Sequence, residues 1–183
     1  MNSLRVRFAP SPTGYLHVGG LRTALYNFLL AKKHNGKFIL RIEDTDQSRR
    51  VEGAMENLIE TLQWAGVEFD EGPGKEGNYG PYIQSQRLEI YRNHVKRLIE
   101  TGKAYYCFCS PERLEEVRKH QTEAGLDPMY DRRCRNISRE DAEKRVAAGE
   151  AHVVRLKVPL EGELTFTDEV RGEVTIQHKI LDD

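Results

Sequence analysis

Apolar residues alternate with arginines from Leu4 to Ala9: Leu4, Val6 and Phe8 point one way, Arg5 and Arg7 the other. A period of two is the mark of a half-buried strand. From about Gly20 to His34 the spacing changes, and Leu21, Ala24, Leu25, Phe28 and Leu29 recur at the interval of an amphipathic helix. Lys32, Lys33 and His34 suit the negative end of that helix, and Gly36 is placed to close it in the left-handed conformation. Phe38-Ile39-Leu40-Arg41-Ile42 predicts a second strand, which runs into the acidic stretch Glu43-Asp44-Thr45-Asp46. Strand, helix and strand in this order predict a βαβ unit with parallel strands. Ser48 is placed to cap a second helix with Val51, Met55, Leu58, Ile59 and Leu62 on its inner face and Gly66 at its end. Ser85 is placed to cap a third, carrying Leu88, Tyr91, Val95, Leu98 and Ile99 inward before Gly102.

Residues 70–81, rich in Gly and Pro, break the pattern and predict a surface loop. Gly72-Pro73-Gly74-Lys75-Glu76-Gly77 superficially resembles a phosphate-binding P-loop, but the Gly-Lys-Ser/Thr ending is missing. Beyond Gly102 the character shifts. Tyr105-Tyr106-Cys107-Phe108-Cys109 predicts a short strand, and Ser110-Pro111-Glu112 opens a helix to about Glu123. Ser138 and Asp141 form a capping box for another helix, ending at Gly149. Strands follow at His152 to Val158, Leu164 to Val170 and Val174 to Ile180, with a turn at Arg171-Gly172. The whole predicts an α/β region over 1–104 and a smaller α+β domain over 105–183.

Composition narrows the function classes. The 183 residues carry 28 Lys and Arg against 29 Asp and Glu, a formal net charge of −1, so any nucleic-acid contact must come from a local patch. No apolar run approaches the roughly 20 residues of a membrane span, and Arg5 and Arg7 interrupt the apolar start that a signal peptide would need. Three cysteines is an odd count that favours reduced thiols over a disulfide framework. A cytoplasmic chain with no membrane contact is expected.

The stretch Arg7 to Gly20 lies where the first strand ends and the first helix begins, the place where parallel sheets bind nucleotides. Pro10 and Pro12 stiffen it. Gly14, Gly19 and Gly20 let a ligand approach the backbone, with His17 beside them and Arg7 as a fixed positive charge upstream. This pattern predicts an anion held against a helix start. A second constellation is Cys107-Phe108-Cys109 with Cys134, thiols that suit tetrahedral zinc or remain simply reduced. Arg132, Arg133, Arg135, Arg139 and Lys144 form a local basic cluster able to meet phosphates, and Tyr105, Tyr106 and Phe108 offer rings for stacking or for core packing.

His17-Val18-Gly19-Gly20 resembles the first signature of class I aminoacyl-tRNA synthetases, with Gly20 where the general motif has a second His. The flanking words Arg7 to Gly14, Arg41-Ile42-Glu43-Asp44-Thr45-Asp46 and Gly80 to Arg87, with Asp168 to Gly172 and Ile180-Leu181-Asp182-Asp183, resemble glutamyl-tRNA synthetases of bacterial type across essentially the whole chain. The resemblance implies the first half of a Rossmann-type parallel-sheet nucleotide-binding domain, followed by an inserted α+β domain that handles the acceptor end of tRNA(Glu). It implies ATP with Mg2+ and L-glutamate as substrates, activation of glutamate as the adenylate, and transfer to tRNA. Under it, Arg7, Ala9, Ser11 and Glu43 bind glutamate, with Arg7 on the side-chain carboxylate and Glu43 on the α-amino group. Thr13, Gly14, His17, Gly19 and Gly20 bind ATP, and His17, Gly19 and Gly20 serve the chemical step. It also implies a zinc on Cys107, Cys109 and Cys134 with a further ligand. Asn136 is a poor ligand, Tyr130 resembles the donor of a shorter paralogue, and His120 is the other possibility. A monomer is expected. The family's second signature, Lys-Met-Ser-Lys-Ser or a variant, does not occur in the sequence, so the isolated chain is expected to be weak or inactive. The paralogue that glutamylates queuosine on tRNA(Asp) and a non-catalytic nucleotide- or tRNA-binding module are the competing readings.

Overall fold

The structure, a computed structural model, describes residues 4–49, 51–168 and 170–183. The chain divides into two compact units, Met1–Tyr91 and Arg92–Asp183.

In the first unit, β1 (Arg5–Phe8) and β2 (Lys37–Leu40) pair in parallel with Arg5 opposite Lys37 and Phe8 opposite Leu40. Helix α1 (Val18–Lys33) makes the crossover between them. On the other edge of β2, Glu71 and Ile83 add single parallel bridges to Ile39 and Ile42. β2 is therefore flanked on both sides, and the alternate residues Phe38, Leu40 and Ile42 are fully buried while Ile39 on the other face is half-buried. Helix α2 (Ala54–Trp64) closes the core with Leu58 and Leu62, and α1 contributes Ala24 and Ala31. Each large side chain removed from water here contributes about 1.5–3 kcal/mol. The predicted βαβ order and parallel pairing hold.

Three local expectations are corrected. The buried stripe of α1 runs through Leu21, Ala24, Phe28 and Ala31, and Phe28 meets Phe38 edge-on at 6.0 Å between ring centroids. Leu25 and Leu29 lie outside that stripe and are exposed. At the end of α1 the left-handed residue is Asn35, with φ +50°, not Gly36. Gly36 is needed for a different reason: a Cβ there would stand 2.4 Å from the Leu4 carbonyl oxygen. Finally, Ser48 and Ser85 cap no α-helix. α2 begins after Gly53, a left-handed residue without a side-chain cap. Ser48 sits in a 3₁₀ turn, Gln47–Arg49, and donates to Asp46 at 2.6 Å. Ser85 sits in a second 3₁₀ turn, Gln84–Arg87, just before α3 (Leu88–Glu100). Within α3, Ile99 is buried, Tyr91, Val95 and Leu98 are half-buried, and Leu88 is exposed.

The second unit holds β3 (Ala104–Cys107) antiparallel to β4 (Val153–Leu156), with α4 (Pro111–Glu123) and α5 (Arg139–Ala147) between them in sequence. Ser110 accepts from the Arg113 N–H and Ser138 from the Asp141 N–H, so both predicted caps form. β5 (Glu163–Asp168) and β6 (Gly172–Gln177) make an antiparallel hairpin in which the Asp168 carboxylate receives the N–H groups of Val170 and Arg171 at 2.9 and 2.7 Å. Glu169, inside the predicted strand Leu164 to Val170, lies outside the described residues. The core is small: Tyr105, Cys107, Tyr130 and Cys134, with Phe108, Cys109, Leu114 and Ile137 against it.

Candidate active site and metal centre

His17 is the N-cap of α1. Its Nδ1 accepts from the Gly19 N–H at 3.1 Å, which puts the ring proton on Nε2 and leaves that N–H free as a donor. The first turn of α1 contains no acidic residue, so the helix supplies no side chain of its own to neutralise the positive end of its dipole. Gly19 is fixed by the same contact, because a Cβ would fall 2.9 Å from the imidazole Cε1. Ser11, Thr13, Gly14, His17 and Gly20 line one cleft of about 450 Å³, together with Phe8, Pro10, Tyr15, Leu16 and Leu58. Gly14 has open space where a side chain would stand. The arrangement offers a donor-rich, electropositive wall and a glycine-lined backbone to an anionic nucleotide.

Arg7, Glu43 and Ala9 lie beside this cleft, not among its lining residues. Arg7 and Phe8 leave β1 on opposite faces, and Phe8 is the one that lines the cleft. Arg7 approaches Glu43 to 3.6 Å, and Arg41 holds the same carboxylate oxygen at 2.8 Å. The Glu43 N–H reaches the Pro10 carbonyl at 2.9 Å, tying the acidic run to the proline loop. A cation and an anion side by side, each partly exposed, can exchange partners with a zwitterion carrying a second carboxylate. Arg41, which the sequence reading left without a site role, holds the Glu43 carboxylate; its signal is the i, i+2 spacing just after β2.

Asp44 is buried and accepts from the Ser85 N–H at 2.8 Å and the Ser85 hydroxyl at 2.6 Å. Arg87 donates to the carbonyls of Pro81 and Tyr79 at 2.7 and 3.0 Å. The two words 41–46 and 80–87 are thus joined in space and brace the loop behind the cleft. Neighbouring Glu71 takes a bidentate pair from Arg5 at 2.7 Å and a hydrogen bond from the Tyr82 hydroxyl.

In the second unit Cys107, Cys109 and Cys134 place their sulfurs within 4.8 Å of one another. Cys109 and Cys134 sulfurs are 3.7 Å apart, and the Tyr130 hydroxyl lies 3.3 Å from Cys107 and 3.5 Å from Cys109. A tetrahedral zinc with Zn–S of about 2.3 Å and Zn–O of about 2.0 Å needs edges of roughly 3.8 and 3.5 Å. The three separations match these edges. His120 is exposed on α4 beside Glu123, and Asn136 is exposed as well, whereas the Tyr130 hydroxyl stands beside the sulfurs. Burial pushes the Cys107 thiol up, but the Tyr130 hydroxyl, the Cys109 N–H and Arg155 outweigh it and bring it down to about 7. Burial, reinforced by the Cys134 sulfur, raises Cys109, and burial with the neighbouring sulfurs raises the Tyr130 phenol.

The predicted basic cluster is largely engaged. Arg135 donates twice to the fully buried Asp183 carboxylate at 2.7 Å, and Arg132 donates to the Leu181 carbonyl at 3.2 Å. Arg139 and Lys144 pair along α5 with Glu143 and Glu140 at 2.7 Å. Tyr105 is core and donates to Asp183, whereas Tyr106 and Phe108 are half-buried and gather around His152.

A parallel βαβ with a His-capped, acid-free helix start after a proline- and glycine-rich loop defines a nucleotide-binding domain of the class I synthetase type. The chain belongs to that family: residues 3–183 match the model for tRNA synthetases class I (E and Q), catalytic domain. Among curated relatives it is 56% identical over 193 residues to the glutamate–tRNA ligase of Finegoldia magna, covering 100% of this chain and 40% of that protein. It is 54% identical over 189 residues to that of Clostridioides difficile, covering 99% of this chain and 38% of that protein. Its fold superposes on a glutamate tRNA ligase from Elizabethkingia meningosepticum, solved in complex with its amino acid, with a TM-score of 0.91 at 41% identity over 100% of this chain and 38% of that one. The chain therefore spans about two fifths of the length of these relatives, and within them it carries a Rossmann-type fold.

Proposed function

We propose that the protein activates L-glutamate with ATP and Mg2+ as glutamyl-adenylate and transfers it to the acceptor end of tRNA(Glu). The observation that carries this reading is the Arg7–Glu43 pair beside the His17-capped helix start. The chemistry asks little covalent help of the protein. The substrate α-carboxylate attacks the α-phosphorus, pyrophosphate leaves, and the site positions both reactants and offsets charge. Arg7 takes the substrate side-chain carboxylate and Glu43 its ammonium group. Selection of the acid over its amide needs such a fixed cation, and a guanidinium is one. His17 Nε2–H and the free N–H groups opening α1 meet the phosphate oxygens. Thr13, Gly14, Gly19 and Gly20 give the nucleotide access to the backbone, and Ala9 and Ser11 shape the floor between the two subsites.

Residues 105–183 are proposed to form the domain that meets the acceptor end. Exposed ion pairs along a helix are weak, so Arg139 and Lys144 can trade a carboxylate for a phosphate, whereas Arg135, with 11% of its side chain exposed, stays on Asp183. Cys107, Cys109, Cys134 and Tyr130 are proposed to hold a zinc that supplies structural cross-linking to this small core. Because this chain spans about two fifths of its relatives' length, glutamate-dependent ATP–pyrophosphate exchange followed by charging of tRNA(Glu) tests the reading on the chain extended to their full length. Arg7→Ala should raise the KM for glutamate and relax discrimination against glutamine, and His17→Ala should lower the exchange rate. Exchange that ignores glutamate, or an Arg7→Ala protein with unchanged glutamate dependence, overturns it. The binding-module alternative predicts ATP and tRNA binding without exchange.

A further inference from the structure

Arg155 lies on β4, its guanidinium carbon 3.8 Å above the Tyr130 ring centroid. Its Nη1 donates to the main-chain oxygen of Asp183 at 3.1 Å. Its Nε is buried without a hydrogen-bond partner. Among the described residues, the other arginines around this core each face a carboxylate: Arg113 meets Asp131, Arg135 meets Asp183 and Arg145 meets Glu150. Arg155 instead lies over an aromatic ring and donates to a main-chain oxygen. A half-buried cation without a side-chain carboxylate is costly, and its placement calls for negative charge on the groups it touches. Three cysteines and a tyrosine bound to a divalent metal carry four negative charges against two positive, which leaves a net negative centre beside Arg155. The nearest alternative, Arg113, reaches Cys109 at 3.5 Å but already shares its charge with Asp131.

We propose that Arg155 is the counter-cation and positioning residue of the metal centre: its stacking keeps the Tyr130 oxygen aimed at the three sulfurs, and its charge offsets that of the loaded ligand set. The inference rests on the zinc reading above, and the experiment separates the two. Zinc content and chelator-competition affinity are measured on the wild-type chain, Tyr130→Phe, Arg155→Met and Arg155→Lys, with cobalt substitution as a spectroscopic readout of ligand geometry. Outer partners of metal ligands are worth about 10- to 100-fold in affinity. Arg155→Met should lose that much and alter the cobalt spectrum, and Arg155→Lys, which keeps the charge, should recover most of it. The rise in melting temperature on adding zinc should shrink in Arg155→Met, where a merely structural role would lower the zinc-free and zinc-loaded forms alike. A wild-type chain that takes up neither metal overturns the zinc reading and this inference with it. Wild-type binding that survives unchanged in Arg155→Met overturns the inference alone. Should Arg155→Met fail to fold, an Arg155→Lys protein that binds zinc as poorly as Tyr130→Phe overturns the charge role.

Discussion

At the scale of single residues, Gly14 and Gly19 belong to one glycine-rich loop yet answer to different constraints. The Gly14 Cβ position is open, so Gly14→Ala should leave stability within a few tenths of a kcal/mol and test only ligand clearance. A Gly19 Cβ would displace the imidazole that receives its own N–H. Gly19→Ala should therefore release the cap, cost about 1 kcal/mol before the gain in helix propensity, and weaken ATP binding more than Gly14→Ala does. Thermal unfolding and ATP titration of the two variants check the order. Glu71 gives a pH-dependent counterpart. Arg5 first, and Tyr82 next, hold its carboxyl at about 2 instead of the ordinary 4.5. A depressed carboxylate contributes stability that is complete above its unfolded value and is lost as pH falls towards the folded one. Glu71→Gln should cost about 1–3 kcal/mol at neutral pH. The gap to wild type should close between about 4.5 and 2, read as melting temperature against pH. The place of His17 at a helix start was legible from its company of glycines at a strand–helix junction. Its capping bond was not, since only the helix start at Val18 brings Nδ1 onto the Gly19 N–H.

At the scale of elements, the change of hydrophobic period from two to helical spacing was enough to order β1, α1 and β2, because Phe38, Leu40 and Ile42 share one face and are fully buried there, which leaves few alternatives. Caps were legible only where nothing distant competed. Ser110 and Ser138 bond their own helices, but Ser48 is taken by Asp46 and Ser85 by Asp44, the latter from 41 residues away in sequence. No local rule sees such a partner. Because Asp44 is buried, Ser85→Ala removes one of its hydrogen bonds and should cost about 1–3 kcal/mol, well above the effect of a surface serine. The end of α1 yields a paired test. Asn35→Gly relieves a left-handed residue and should be neutral or slightly stabilising. Gly36→Ala drives a Cβ into the Leu4 carbonyl and should destabilise by about 1–3 kcal/mol, as overpacking does. Urea midpoints of the two variants should move in opposite directions or one not at all; equal losses would contradict this reading of the turn.

At the scale of the whole chain, two cores of unequal resources stand in one sequence. Among the described residues, the first buries eight large aliphatic and aromatic side chains together with two alanines. The second has four buried residues, two of which are cysteines and two tyrosines whose hydroxyls need partners. Arg132 and Arg135 reach Asp183 across about half the unit's length, another pairing invisible to local reading, and they turn a predicted phosphate patch partly into internal support. So small a core leaves the second unit dependent on cross-links of some other kind. The metal proposed for Cys107, Cys109, Cys134 and Tyr130 would join the end of β3 to the segment before α5, and its binding free energy would become folding free energy. Chelation should therefore act selectively. Amide hydrogen exchange should accelerate at Ala104–Cys107, Tyr130 and Cys134 when zinc is withdrawn, while Arg5–Phe8 and Lys37–Leu40 keep their protection because none of their contacts involves the four donors. Cys134→Ser should reproduce the same pattern without a chelator. Exchange that rises equally in both units, or in neither, would mean that the thiols stabilise the fold as ordinary buried side chains and that the second core stands without metal.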